Sequence, residues 1–416
     1  MKKKYLIIMT LLIFLLLSCQ AKSKFSGGFA IVYQEGTPYL LNKNGDMQSL
    51  SKYDQISDVF GEYIVVAKYK GQKLKYGYID HNGKEIIKPS YDMAYPFGEE
   101  LAVVVKDNQY YLINTKGKTV YHFENGIKAY DCFQEGFLKV EDNHQYRFLN
   151  HQFVLSKAFD GVENYQEGYA LCFNIQDGKK AYSIIDANYQ VSLSSNLAPY
   201  SFVDRLYNGW MRVGRSIDED FYYSFMNTSG QLLTDENDNQ LFEDAHNFHS
   251  GLALVFTGQP CEFIYGADNE VLISFYSAQY IDSTGHYPSF SYIDARSRDK
   301  SKYLDKMIMG DFVGDLVAFR MITGGASYYT LNKKTISGST ARIEEINLKA
   351  KNQDLPQMEK DSYRKPYSIA YLKESPYYID GQTTLLCVAR VYSDNYGIID
   401  ESGQYIFDAL YERVIL

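Results

Sequence analysis

Lys75-Tyr76-Gly77-Tyr78-Ile79-Asp80-His81-Asn82-Gly83-Lys84-Glu85-Ile86-Ile87-Lys88-Pro89-Ser90-Tyr91-Asp92 is the stretch whose reading decides the fold. An aromatic-aliphatic run enters a turn that begins on Asp80 and ends on Gly83. A second apolar run leaves it. A hairpin loop built on a type I turn favours Asx at its first position, where the side chain caps the turn backbone. It favours Gly where the chain enters the left-handed region to close the bulge. The eighteen residues therefore predict strand, tight turn, strand.

The same phrase recurs along the chain. Asn42 to Gly45, Asn114 to Gly117, Asn227 to Gly230, Asp282 to Gly285 and Asp400 to Gly403 all read Asx-x-x-Gly. A second phrase, a small or acidic residue, Gly and an apolar run, recurs at glycines 61, 98, 136, 168, 209 and 251, which lie 37, 38, 32, 41 and 42 residues apart. A third phrase, aromatic-acidic with a further aromatic downstream, closes each unit: Tyr91-Asp92 to Phe97, Phe159-Asp160 to Tyr165, and Phe242-Glu243 to Phe248. The chain holds 40 Tyr and 24 Phe against one Trp, an enrichment that favours strands. Repetition at this period implies three to four strands per unit, each burying its faces against the next. The fold class expected is all-β: a repeat array over 27–416, β-propeller-like because closure hides strand edges, with an open β solenoid as the alternative. Eight or nine units are expected, and a strand-like segment ends the chain at Leu410 to Leu416, which suits ring closure.

The unit at 77–105, with Tyr76-Gly77, Asp80, Gly83, Pro89, Tyr91-Asp92 and Phe97, resembles the WG repeat, a bacterial family named for its Trp-Gly pair. Tyr takes the Trp place here and again at Tyr396-Gly397. The resemblance is close at these two units, fair over 27–256 and poor across 257–383. It implies recurrent β units and interaction roles rather than a particular chemistry. Within 257–383, the spacing predicts short amphipathic helices at Arg298 to Met309 and Ile343 to Ala350, a polar loop from Lys351 to Pro366, and hence irregular insertions in degenerate units.

The N-terminus reads as an export signal over 1–18. Lys2, Lys3 and Lys4 precede an apolar run from Tyr5 to Leu17, too short to span a bilayer core. Leu16-Leu17-Ser18-Cys19 is similar to the lipobox of bacterial lipoproteins, which implies lipidation of Cys19, a tether over 19–26, and an exported protein held on the envelope membrane. Two or more acyl chains give stable anchoring where one does not. Removal of the three lysines moves the formal net charge from −9 to −12. That acidity argues against nucleic acid as a partner. Cys132, Cys172, Cys261 and Cys387 are far apart and form no disulfide framework; Cys172 and Cys387 sit in apolar strand-like runs, where buried free thiols are expected, with a single disulfide after export as the alternative.

Candidate chemistry is sparse. Gly77 to Lys84 has the outline of a phosphate loop, one residue too long and with Glu85 where Ser or Thr is needed. His246 and His249 form a His-x-x-His pair with no third ligand evident. Asp235 to Asn239 opens like a calcium loop, then places Gln240 and His246 where Gly and Glu belong. Asp80, Asp282 and Asp400 share the turn position, so turn-building explains them together. No catalytic residue, cofactor or metal is expected. The function expected is a lipid-anchored module binding an envelope or extracellular protein or glycan. The alternatives are an exported hydrolase with its site at the propeller mouth and a purely structural envelope component.

Overall fold

The computed structural model describes residues 29–287, apart from 43, 58–61, 250 and 266–270, and beyond them a set of strands within 289–415. Nine antiparallel or mixed sheets follow one another among the described residues, and the only helix there is a single 3-10 turn at Ser195–Leu197. The second sheet shows the plan: Gln55–Ile56, Tyr63–Lys70, Lys73–Asp80 and Glu85–Tyr91 pair in sequence order. The third repeats it with Met93–Gly98, Leu101–Lys106, Gln109–Asn114 and Thr119–His122. The aromatic-acidic phrase, expected to close each unit, straddles two sheets: Tyr91 pairs with Tyr76 and so closes the second sheet, while Met93–Gly98 just beyond it pairs with Leu101–Lys106 and opens the third.

The first sheet shows how the array ends. Its strands Phe29–Gln34, Thr37–Asn42 and Met47–Ser49 take their leading partner from the far end of the chain. Arg413–Ile415 fills that place, with Ile31 opposite Ile415, Val32 opposite Val414 and Tyr33 opposite Arg413. Glu412 adds two contacts: its N–H donates to the Tyr33 carbonyl at 2.9 Å, and its carboxylate accepts the Gly36 N–H at 3.0 Å. The last strand thus completes the first sheet, which is how a propeller-like ring removes its open edges.

Successive sheets pack face to face, and period-2 alternation divides each strand between two interfaces. On Tyr63–Lys70, Ile64 and Val66 pack with Ile31, Leu40 and Ile79 toward the first sheet, while Val65 packs with Tyr78, Phe97 and Val104 toward the third. Val104 and Val103 split in the same way between the second and fourth sheets. Strands covered on both faces read as continuous apolar runs, here Ile64-Val65-Val66 and Ala102-Val103-Val104. Buried tyrosines satisfy their phenols on backbone carbonyls: Tyr78 donates across the interface to that of Tyr95 at 2.8 Å, and Tyr165 donates within its own sheet to that of Asp186 at 2.8 Å.

Gly77 explains the aromatic-Gly pair. Opposite it the Glu85–Tyr91 strand bulges, so that Tyr76 faces Tyr91 while Tyr78 faces Ile87. A Cβ on Gly77 would lie 2.3 Å from the Ile87 carbonyl oxygen and 2.6 Å from the Pro89 nitrogen. The same register shift recurs opposite Gly397, where Tyr396 faces Tyr411 and Ile398 faces Phe407. Glycine is what lets the bulged backbone approach.

The 257–383 region corrects one expectation. Of the helix expected over Ile343 to Ala350, residues 343–346 belong to the strand Thr340–Ile346, paired with Ala326–Asn332 and in parallel with Ser289–Ile293, and 347–350 lie outside the described residues. Ile343 and Ile346 fit a helical spacing, but the pairing of neighbouring strands decides. Of the other helix, Met307–Ile308 is a strand, and 298–306 and the loop 351–366 lie outside the described residues.

Candidate functional site

The Asx-x-x-Gly loops are hairpin bends throughout the described residues. In each, the Asx Oδ1 accepts the N–H groups two and four residues on: Asp80 from Asn82 and Lys84, Asn114 from Lys116 and Lys118, Asn227 from Ser229 and Gln231, Asp282 from Thr284 and His286. Asp80 and Asp282 are therefore engaged by their own turns, and Asp400 lies outside the described residues. Gly77 to Lys84 is strand and hairpin rather than a phosphate cradle. The Asp235 loop uses the same device: Oδ1 accepts the Asn237 and Asn239 N–H groups, and Oδ2 accepts the Tyr287 hydroxyl at 2.7 Å. Burial pushes the Asp235 carboxyl up, but these bonds outweigh it and its pKa falls below the usual value. The His246 ring leans on Phe256 and the His249 ring on Tyr207. Among the described residues no group of three His, Cys, Asp or Glu gathers.

Cys132 and Cys172 are buried free thiols, and burial pushes Cys172 up to about 12. Cys261 and Cys387 lie on the strands Leu252–Tyr265 and Cys387–Arg390. Cys19, the lipidation residue, lies outside the described residues. No helix of the described residues is long and apolar enough to cross a membrane.

Two features emerge that the sequence did not single out. The first is a chain of contacts between turns of successive sheets. Glu99 accepts the Gly136 N–H; Glu135 accepts those of Glu167 and Gly168, both at 2.8 Å; Glu167 accepts those of Asn208 and Gly209; Asn208 accepts that of Gly251. A glutamate reaches only a few ångströms, so these turns lie side by side along one edge of the array. His151, stacked on Phe133, also contacts Glu99.

The second feature is a tyrosine surface at the junction of the third and fourth sheets. Tyr95 comes from the leading strand of the third sheet and Tyr110 from its third strand. Tyr130 follows the strand Ile127–Ala129. The Tyr130 ring is 48% exposed and meets Tyr95 at 6.4 Å and Tyr110 at 6.0 Å, both edge-on. Burial first, and the neighbouring phenols second, push Tyr95 and Tyr110 up to about 12, so both stay neutral donors at physiological pH. Lys128 and Glu141, directly opposite each other, form an ion pair at 3.9 Å beside them. Further along, Asp131 accepts the Asn164 amide at 2.8 Å, and Asp204 accepts both Asn247 and Arg212.

Residues 76–110 match the family model described as "WG containing repeat", the unit that carries Tyr76-Gly77 and its bulge. Among solved structures, TolB from Acinetobacter baumannii is 11% identical with a TM-score of 0.26, covering 49% of this chain and 62% of its own, so the match spans under two-thirds of that protein. The WD40 β-propeller domain of Doa1 is 14% identical with a TM-score of 0.25, covering 54% of this chain and 84% of that one. A protein of unknown function from Bacteroides caccae is 13% identical with a TM-score of 0.23, covering 56% and 92%. The fold assignment rests on the strand pairing, not on these overlaps. No curated protein matches significantly.

Proposed function

We propose that this chain is a lipid-anchored, extracytoplasmic binding module that holds a protein or glycan ligand on the Tyr95, Tyr110 and Tyr130 surface and performs no catalysis. The observation that carries this reading is the half-exposed Tyr130 ring held edge-on by two partly buried tyrosines. Such rings offer large contact area, little rotamer entropy to lose and a polar tip, the properties of interface anchors and sugar-stacking platforms. A general acid needs a carboxyl whose pKa is raised. Among the described residues, the carboxyls that clearly shift, Asp92, Asp160 and Asp235, all shift down. Anchoring through Cys19 rests on the lipobox-like sequence. The test is capture from envelope extract by the domain beginning at residue 27, run beside a glycan array, with Tyr130→Ala as the comparison. Binding should fall at least tenfold while thermal stability holds. A variant that captures the same ligand as well as the parent, or measurable turnover of that ligand, overturns the reading.

A further inference from the structure

The hairpin joining Tyr63–Lys70 to Lys73–Asp80 carries four lysines. Lys68 lies directly opposite Lys75, and Lys70 opposite Lys73. Residues two apart on a strand, and residues directly opposite across a pair, project from the same face. All four side chains therefore leave the same side of the hairpin, with Cβ atoms about 5 Å apart across it and about 7 Å apart along it. Like charges set opposite each other destabilise a sheet. Among the described strand pairs, no other places two like charges face to face.

The charge is also poorly compensated. Asp92 pairs with Lys75 and also lies close enough to Lys73 for the two charges to attract. Asp54, which reaches the same hairpin, accepts the Tyr69 N–H at 2.8 Å. Lys68, Lys70 and Lys73 are exposed and make no ion pair among the described residues. This basic grid sits in a chain of net charge −9. Tyr69, 57% exposed, stands on the opposite face of the same hairpin.

We propose that this hairpin is a docking stripe for a linear phosphate polymer. A chain bearing a negative group every few ångströms engages several ammonium groups at once, whereas a single small anion cannot span the grid. Binding would draw on counterion release and weaken with salt. The proposal goes beyond the tyrosine-surface reading and does not depend on it.

The experiment titrates the full chain with inorganic polyphosphate between about 50 and 200 mM salt. Wild type should bind with a log–log salt slope of about −2, the value for three lysines at roughly 0.7 each. The triple variant Lys68→Gln, Lys70→Gln, Lys73→Gln should lose at least tenfold in affinity at low salt and flatten the slope. Its melting temperature should stay level or rise, because the like-charge opposition is gone. Tyr130→Ala should bind polyphosphate as wild type does, which separates failure here from failure of the tyrosine-surface reading. The proposal is overturned if the triple variant binds like wild type, or if its melting temperature falls. It is also overturned if vesicles containing anionic phosphatidylglycerol, or single-stranded DNA, bind in preference to polyphosphate.

Discussion

Replacing Gly77 by alanine tests the aromatic-Gly reading at a single atom. The added methyl would lie 2.3 Å from the Ile87 carbonyl oxygen, 2.6 Å from the Pro89 nitrogen and 2.8 Å from the Lys88 carbonyl carbon. All three are backbone, so relief requires moving the bulged strand, and with it Ile87 in the interface with the third sheet. Overpacking a tight site costs about 1–3 kcal/mol, and loss of the bulge register adds to that, so about 3 kcal/mol is expected. Gly71→Ala is the control: that glycine has φ +65°, and a methyl added there would meet no atom within 4 Å, leaving only the left-handed backbone cost of about 1 kcal/mol. Urea unfolding with an unchanged m-value gives both numbers. Equal losses for the two variants would refute the claim that close backbone approach dictates the glycine.

Acid sensitivity should track two carboxylates at the hairpins between second and third strands. Lys75 first, then the Asp107 N–H, hold Asp92 below the usual range; the Ile175 N–H first, then Gln145, do so for Asp160. A depressed folded pKa stabilises above the unfolded value near 3.9 and loses that stabilisation as pH falls through the folded value. Asp92→Asn with Asp160→Asn should therefore flatten the fall of the urea midpoint below about pH 4; an unchanged profile would rule these residues out. Glu135→Ala removes two bonds to the Glu167 and Gly168 N–H groups. It should cost about 1 kcal/mol, discounted for partial exposure, and speed hydrogen exchange at Gly168; unaltered exchange there would dissolve the turn-to-turn chain.

Much of the fold is legible because one turn chemistry repeats with its own mechanism. Three bends, Asn150 to Phe153, Asp186 to Tyr189 and Asp235 to Asp238, lack the Asx-x-x-Gly signature because a residue with positive φ, Phe153 at 59°, Tyr189 at 62° and Asp238 at 64°, stands in the glycine place. Their Asx residues cap the turn as the others do. Tertiary contacts hold the unusual backbone: Phe153 stacks on Tyr121 at 4.8 Å, and the Tyr189 hydroxyl donates to the carbonyls of Phe148 and Val154. Unit boundaries are not legible, because the aromatic-acidic phrase straddles them: Tyr91, Phe159 and Phe242 pair with the sheet before, and the residues just after them with the sheet that follows. Only pairing partners distinguish the two.

The candidate site is harder to read. The glutamate-to-turn contacts join residues 32 to 42 positions apart. Their one sequence signal is the acidic residue before the recurrent glycine at Glu135 and Glu167. The tyrosine surface leaves no signal of its own, since Tyr95, Tyr110 and Tyr130 are three among 40 and differ from buried Tyr78 and Tyr165 only in what packs over them.

A closed array requires the final strand to complete the first sheet, and a cross-strand thiol pair tests this most directly. Val32 and Val414 face each other in register, at a separation antiparallel pairs place within disulfide range. In dilute, oxidised Val32→Cys, Val414→Cys protein, closure predicts a monomer whose non-reduced digest yields one peptide linking both ends of the chain. A digest with no such link, or with the link confined to dimers, would contradict a closed array.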